Sequence, residues 1–404
     1  MSYAHHAVEL RSEQLRLPEN HAWRRLPLIA AIVGGLGLAA SAGLGVGQPK
    51  QFFFSYLVAF MFGLSFAIGG LFFVLIQFAS RAAWSVVVRR VAENAAAAVP
   101  VFAVLFLPIA FGAHDLFHWS HAEAVAHDAL LAGKSGYLNL PFFFIRAFFY
   151  FALWTFLSQW YLRRSLEQDR TGDKTITRRL QNASGPSIVV TALTMNFAAF
   201  DWLMSLDPHW YSTMFGVYYF AGCLIAIFAF LAIVTILMRR SGLLENIVTR
   251  EHDHDLGKLL FGFTVFWTYI AFSQYFLIWY ANIPEETVWY AHRMEGSWKT
   301  VSVFLMAGHF VIPFFYLMPR AVKRNRVALF AGASWMLLVH YVDIYWLAQP
   351  VLNHHGAHFS LLDGTTLLGV GGVFIAVFAR FLARHALVPH RDPRLPESLR
   401  FENV

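Results

Sequence analysis

The dominant pattern along the chain is a series of ten long apolar stretches separated by short polar connectors. Each stretch can supply the ~20 residues with which an α-helix crosses about 30 Å of hydrocarbon. None alternates between apolar and polar positions over the ~10 residues of a membrane β-strand. We therefore predict an all-α membrane protein. The predicted spans lie near residues 26–47, 52–80, 91–113, 140–162, 186–205, 213–238, 257–281, 298–318, 327–348 and 365–386.

The composition agrees with this class and the charges predict an orientation. The chain is 58% hydrophobic and only 14% charged, which is unusual for a soluble protein. Its Lys and Arg residues are concentrated in alternate connectors, so the positive-inside rule places both termini in the cytoplasm. This asymmetry accounts for the net charge of +7 without a nucleic-acid partner. The predicted organisation is a cytoplasmic segment 1–25, a transmembrane domain 26–386 and a cytoplasmic tail 387–404.

Several chemistries are excluded by the residues that the chain lacks. Cys223 stands alone, so there is no thiolate set for an iron-sulfur cluster and no motif for covalent haem. No glycine-rich nucleotide loop is present. Axial ligation of haem by His309 and His340 is an alternative, but Val339 and Tyr341 leave little room for a macrocycle. We expect no cofactor on this chain.

A sparse set of ionisable residues lies inside the apolar stretches. They are Arg146, Asp201, His309, His340 and Asp343. Charge in hydrocarbon is costly, and such residues commonly mark proton or ion pathways. His340 and Asp343 are three residues apart and share a helix face, so a proton could pass between them. The alternative is a hydrogen bond that only holds helices together.

An internal repeat organises the spans. Residues 200–208 resemble residues 342–350, and in both segments an aspartate precedes a proline by seven positions. Two parallel-related four-helix bundles follow from this repeat, formed by spans 2–5 and spans 6–9. The first and tenth spans then flank the bundles. Their glycine clusters predict close contacts between helices.

The outer connectors are rich in histidine and acidic residues. Such tracts can bind transition metals, but they are equally typical of solvated loops or partner interfaces. Their spacing matches no defined site, so we predict no metal. The residues concerned are His114, Asp115, His118, His121, Glu123, His127, Asp128, His354, His355, His358 and Asp363.

Two long stretches carry a resemblance to a known family. Residues 196–222 (NFAAFDWLMSLDPHWYSTMFGVYYFAG) and 266–287 (FWTYIAFSQYFLIWYANIPEET) resemble the F-type integral membrane subunit, or quinone-binding subunit 2, of bacterial alternative complex III. That complex is a quinol:cytochrome c oxidoreductase. The resemblance implies a fold similar to polysulfide-reductase or NrfD-like membrane subunits. It also implies a multi-pass protein of the bacterial cytoplasmic (inner) membrane.

The resemblance implies a role without redox chemistry in this chain. The subunit would support the complex and conduct protons, and it would not be catalytic alone. Contact with quinone or menaquinone is left open. Haem c and iron-sulfur clusters would lie in partner subunits. The implied partners are a larger NrfD-like membrane subunit, an iron-sulfur subunit, multihaem and monohaem cytochrome c subunits, and small membrane subunits.

The family motifs complete the set of proton-path candidates. They contribute Asp201, Asp207, His209, Gln274, Glu285 and Glu286, beside the intramembrane Arg146, His309, His340 and Asp343. For the inner half of a path the sequence offers Glu93, with Thr194, Asn196 and Thr264 as polar steps. The alternative function is a free-standing secondary transporter, which binds its substrate at broken helices. Candidate breaks are Pro100, Pro108 and Pro313.

Overall fold

The computed structural model describes residues 15–403, and within that range every regular element is a helix. Ten helical segments in this part of the chain are long and apolar enough to cross a membrane. The prediction of an all-α, multi-pass membrane protein is confirmed. The spans are Ala22–Gly45, Pro49–Ala79, Val86–Phe111, Leu140–Thr171, Lys174–Leu206, Phe215–Arg240, Arg250–Ala281, Trp298–Leu317, Arg326–Val351 and Leu361–Arg384.

Several helices extend beyond the apolar stretches that predicted them. The fourth continues to Thr171, where Gly172 adopts a left-handed conformation with φ of 72° and ends it. The fifth begins at Lys174, because the Asp173 side chain accepts a hydrogen bond from the backbone N–H of Thr175. Such caps stabilise helical turns in the polar zone, which hydropathy alone does not detect.

The spans pack as two four-helix bundles. The second to fifth spans contact one another in a closed ring, and so do the sixth to ninth. The second span joins the bundles by packing against the sixth and the ninth, and the fifth also packs against the sixth. The second and sixth spans are therefore the most buried. This arrangement is the one that the internal repeat predicted.

The first and tenth spans pack closely on each other, and the tenth also packs on the second. Glycines make this approach possible. A Cβ added at Gly37 would lie 2.6 Å from the backbone N of Gly369, and one at Gly34 would lie 2.7 Å from that of Val373. Both distances are too short for real atoms. The predicted close contact between these two helices is confirmed.

Two spans are irregular where the sequence places prolines. The third consists of helices Val86–Ala96, Val99–Leu105 and Leu107–Phe111, and the last two each begin beside a proline. The eighth contains a π-helix, Met306–Val311, between helices Trp298–Leu305 and Ile312–Leu317. A proline lacks the backbone N–H needed to continue a helix. Within the π-helix lies His309.

The terminal segments meet on one face of the molecule. The backbone N–H of Leu387 donates to the carbonyl of Leu15 at 2.8 Å. Both ends of the described chain therefore lie on the same side, as the predicted topology requires. Of the predicted N-terminal segment 1–25, residues 1–14 lie outside the described residues, and so does residue 404 of the predicted tail. The remaining short helices are Ala113–Leu116, His118–Ser120, Ala122–His127, Ala129–Lys134, Pro284–His292, Arg320–Arg324 and Leu395–Leu399.

Candidate functional site

A buried polar cluster lies in the second bundle, where that bundle packs against the second span. We define the Asp343 cluster as Asp343, His340, His309, Tyr218 and Ser65. Asp343 and His340 project from one face of the ninth span, as their spacing predicted. The Tyr218 hydroxyl of the sixth span donates a short hydrogen bond to Asp343 Oδ1. His340 Nε2 lies 3.2 Å from the Ser65 hydroxyl of the second span. The second, sixth and ninth spans contact one another, and the eighth contacts the ninth.

His309 enters the cluster from the eighth span. Its π-helix is the kind of local widening that often occurs at functional sites. One ligand atom from each of His309, His340 and Asp343 lies within 4.8 Å of the other two, and all three residues are buried. Within the described part of the chain, neither ring nitrogen of His309 has a hydrogen-bond partner, and the Trp267 ring centroid lies 3.7 Å from the imidazole centroid.

A glycine makes room for this arrangement. A Cβ at Gly222 of the sixth span would lie 2.6 Å from Cε1 of His340. Any larger residue would displace the imidazole. The Nδ1 atom of His340 has no hydrogen-bond partner in the structure.

The Asp343 cluster can exchange a proton or hold a cation. Among residues 15–403, no Lys or Arg forms a salt bridge with Asp343. A buried acid without a cationic partner is costly as a free charge, so it requires a proton or another cation. The two imidazoles and the carboxyl group also form a potential three-ligand metal set. Zn²⁺ binds such atoms at about 2.0–2.2 Å, so the ligands would have to converge around the ion. The predicted absence of metal stays a prediction.

The first bundle contains a different arrangement, because its aspartate is paired. Arg146 Nε donates to Asp201 Oδ2 at 2.8 Å, and Nη2 donates to Oδ1 at 2.9 Å. The Tyr150 hydroxyl also donates to Oδ2 at 2.9 Å, and Arg146 Nη1 reaches the Tyr137 carbonyl. The Asp201 carboxylate is therefore neutralised by Arg146, and both of its oxygens accept hydrogen bonds. Both residues are among the ionisable groups predicted inside the apolar stretches, and the structure joins them as an ion pair.

The two bundles share a plan but differ in the basic residue. In the first, a residue of the fourth span, Arg146, faces the aspartate of the fifth. In the second, His309 of the eighth span faces the aspartate of the ninth. In both repeats the helix then continues into a 3₁₀ turn, Met204–Leu206 or Gln349–Val351. The guanidinium cannot release its proton in proteins, whereas an imidazole can. The second bundle therefore has the chemistry suited to proton exchange.

A cavity of about 360 Å³ opens at the predicted outer end of the molecule, beside the connector that contains Asp207 and His209. Arg293 lines it and is 2% exposed. Its guanidinium donates to the carbonyls of Trp289, Trp346 and Leu347 at 2.8–3.2 Å. Burial lowers the pKa of Arg293 to about 9, and nearby Asp207 opposes that shift. Arg293 thus remains a buried cation at neutral pH.

Of the other outer candidates, His209 lines this cavity, whereas Gln274, Glu285 and Glu286 do not. Gln274 accepts a hydrogen bond from Ser212 at 2.9 Å and donates to the Tyr290 hydroxyl at 3.0 Å. His209 contacts Asp128 at the surface. The remaining two candidates, Glu285 and Glu286, lie in the first turn of helix Pro284–His292.

In the part of the chain that the structure describes, the histidine-rich connectors bring no three candidate metal ligands together. Among the described residues, His309, His340 and Asp343 are the one group of at least three candidate ligands that lie close enough together to hold a metal ion. Most connector histidines are exposed. Asp363 instead caps the tenth span, where its carboxylate accepts from the backbone N–H of Ser360 at 2.8 Å.

On the predicted inner side, Glu93 belongs to a network of ion pairs. Its carboxylate contacts Arg89 at 3.2 Å and Arg90 at 2.8 Å. Arg89 also contacts Asp392 at 2.6 Å, and Arg90 contacts Asp169 at 2.7 Å. The polar steps predicted near it bond mainly to their own helices: Thr194, Asn196 and Thr264 each donate to the carbonyl four residues earlier.

Sequence reasoning missed several members of these sites. Tyr218 and Ser65 complete the Asp343 cluster, yet a single tyrosine or serine in an apolar helix carries no distinguishing signal. Arg293 lies in a polar connector, and Trp289 one turn earlier was the signal that its guanidinium would be covered. In comparisons with known proteins, no protein-family model and no curated protein matches the chain.

Proposed function

We propose that this chain is a non-redox membrane subunit of a respiratory quinol:cytochrome c oxidoreductase of the alternative complex III type. In this proposal it supports the complex in the bacterial inner membrane, and its partners carry the haem c and iron-sulfur centres. The resemblance of residues 196–222 and 266–287 to that family supports the proposal. The two four-helix bundles and the flanking pair of spans agree with the fold expected of such a subunit.

Within the complex, the proposed activity is proton transfer through the second bundle. The observation that carries this proposal is the buried carboxyl group of Asp343, which has two imidazoles within 4.8 Å and no cationic partner in residues 15–403. Tyr218 can relay a proton to it through a direct hydrogen bond. His340, which has a ring nitrogen within 4.8 Å of the carboxyl group, contacts Ser65 of the second span.

The outer half of the path has more polar groups than the inner half. On the outer side, Arg293, Asp207 and His209 surround an open cavity. Towards the inner side, Glu93 is held between two arginines. We therefore propose proton exchange between the Asp343 cluster and the outer face, coupled to quinol oxidation in a partner subunit. Quinone contact by this chain is not required for this role.

The test is an Asp343→Asn variant of the tagged chain, purified with its complex and reconstituted in liposomes. Asparagine keeps the shape of the side chain but cannot exchange the proton. We expect fewer protons released per electron, with unchanged haem content and subunit composition. Glu123→Gln, at an exposed acid of an outer connector, is the matched control and leaves the ratio unchanged. An unchanged proton-to-electron ratio and turnover in Asp343→Asn would remove Asp343 from any proton path.

A second candidate function is secondary transport by the free-standing chain. The observation in its favour is the irregular backbone of the third and eighth spans, because transporters bind substrates at broken helices. Purification of the tagged chain in mild detergent separates the two functions. Copurification of haem c and iron-sulfur proteins supports the complex subunit. A chain that purifies alone and catalyses uptake into liposomes supports the transporter.

A further inference from the structure

A large basic cavity lies on the face where the terminal segments meet. It has a volume of about 1250 Å³ and is bordered by the C-terminal ends of the fourth and tenth spans and by both terminal segments. Six arginines line it, with His385 and His390 and only two carboxylates. The arginines are Arg16, Arg163, Arg164, Arg170, Arg384 and Arg391.

The two carboxylates of this cavity are already engaged. Glu167 pairs with Arg164 at 2.6 Å. Asp169 pairs with Arg90 at 2.7 Å and lies 3.4 Å from His390. Among residues 15–403, the other five arginines have no carboxylate partner within salt-bridge distance. Like charges gathered around one concave space repel one another, and a bound anion relieves that repulsion.

His385, one of the two histidines that line the cavity, lies in the same positive electrostatic environment. The Nδ1 atom of His385 is buried and has no hydrogen-bond partner among residues 15–403. Burial, followed by the charges of Arg90 and Arg384, lowers the pKa of His385 to about 4. The imidazole therefore stays neutral at physiological pH and can donate or accept a hydrogen bond.

The lipid-facing side of the fourth span continues the cavity towards the membrane centre. Phe149, Phe156, Trp160 and Arg163 follow one another at spacings of seven, four and three residues, so they form one stripe on the helix. Phe149 is 56% exposed and Phe156 is 62% exposed. The stripe is about 21 Å long at the rise of an α-helix. It is apolar at one end, amphipathic at Trp160 and cationic at the other end.

We propose that the cavity binds the headgroup of an anionic phospholipid with two phosphates, and that an acyl chain lies along this stripe. Basic pockets at the ends of transmembrane helices are suited to such headgroups. Arginine offers phosphate a planar pair of donors, which makes it a better ligand than a diffuse positive charge. A free phosphate ion would use the arginines but not the apolar stripe. The site is independent of the proposed proton transfer.

The experiment measures binding of cardiolipin, phosphatidylcholine and inorganic phosphate to the delipidated full-length chain in detergent. Wild type is compared with the double variant Arg163→Gln/Arg384→Gln. The matched control is Arg178→Gln/Arg179→Gln, which removes two exposed arginines of the fifth span that do not line the cavity. A further variant, Arg163→Lys/Arg384→Lys, keeps both charges and tests whether loss of binding merely reflects misfolding.

We expect cardiolipin to bind the wild type and the control at least about tenfold more tightly than phosphatidylcholine does. The glutamine variant should lose about tenfold or more of that affinity, while the lysine variant retains most of it. Equal binding of the two lipids would overturn the proposal, as would an equal loss in the control. Displacement of cardiolipin by low millimolar phosphate would also overturn it, because the site would then recognise phosphate alone.

Discussion

Replacing Arg146 by glutamine should be one of the most destabilising single changes in the first bundle. The side chains of Arg146 and Asp201 are 8% and 0% exposed, and two charge-assisted hydrogen bonds of 2.8 and 2.9 Å join them. The variant removes both bonds and leaves a buried carboxylate with Tyr150 as its remaining donor. Breaking one side of a buried ion pair typically costs about 3–5 kcal/mol. At about 1.4 kcal/mol per tenfold, this raises the unfolding equilibrium constant by at least about 100-fold.

The assay is equilibrium unfolding of the purified chain in mixed micelles with increasing sodium dodecyl sulfate. Asp201→Asn alone and the double variant Arg146→Gln/Asp201→Asn complete a thermodynamic cycle. We expect the double variant to be more stable than Arg146→Gln alone, because no uncompensated charge remains in it. The control is Arg164→Gln, which breaks a pair whose side chains are 39% and 36% exposed.

The control should change the free energy of unfolding by less than about 1 kcal/mol, since exposed ion pairs contribute little. If Arg146→Gln lowers the free energy of unfolding no more than Arg164→Gln does, burial does not make the Arg146–Asp201 pair important for stability, and the reasoning is refuted. A double variant no more stable than Arg146→Gln would refute the claim that the unpaired carboxylate is the source of the loss.

Two further predictions concern packing and pH. Gly37→Ala should lower the thermal stability of the chain in detergent, because its Cβ would lie 2.6 Å from the backbone N of Gly369. Gly35→Ala is the control and should be neutral, because a Cβ there meets nothing within 4 Å. Equal melting temperatures of the two variants would contradict the close approach of the helices. The pKa of His385, about 4, lies below the ordinary 6.5, so its contribution to stability is fully present above pH 6.5 and is lost as the pH falls towards 4. The free energy of unfolding of His385→Gln should therefore fall less steeply than that of the wild type between pH 6.5 and pH 4. Identical slopes for the two proteins would exclude the effect.

The large-scale architecture could be predicted because its signals are local. Apolar runs of sufficient length indicated the spans, and the repeated aspartate and proline indicated the two bundles. The three-residue spacing of His340 and Asp343 also predicted that these two side chains share one face of the ninth span. These inferences need only the rise of a helix and the order of the spans.

Partners that depend on helix rotation could not be predicted. Tyr218 is 125 positions from Asp343, and Ser65 is 275 positions from His340, so only the packing of whole helices brings them together. The same holds for Arg89 and Asp392, which are separated by 303 positions. A sequence shows which face of one helix carries a polar group, but not which face of a distant helix meets it.

The π-helix at Met306–Val311 gives the eighth span one residue more than a regular helix would need over the same length. Each residue turns an α-helix by about 100°. Deleting a single position there would restore regular winding and swing His309 away from Asp343, while the ends of the span kept their places. The proximity of His309 and Asp343 therefore depends on one inserted residue. An insertion or deletion of a single residue can create or remove this proximity without changing either side chain.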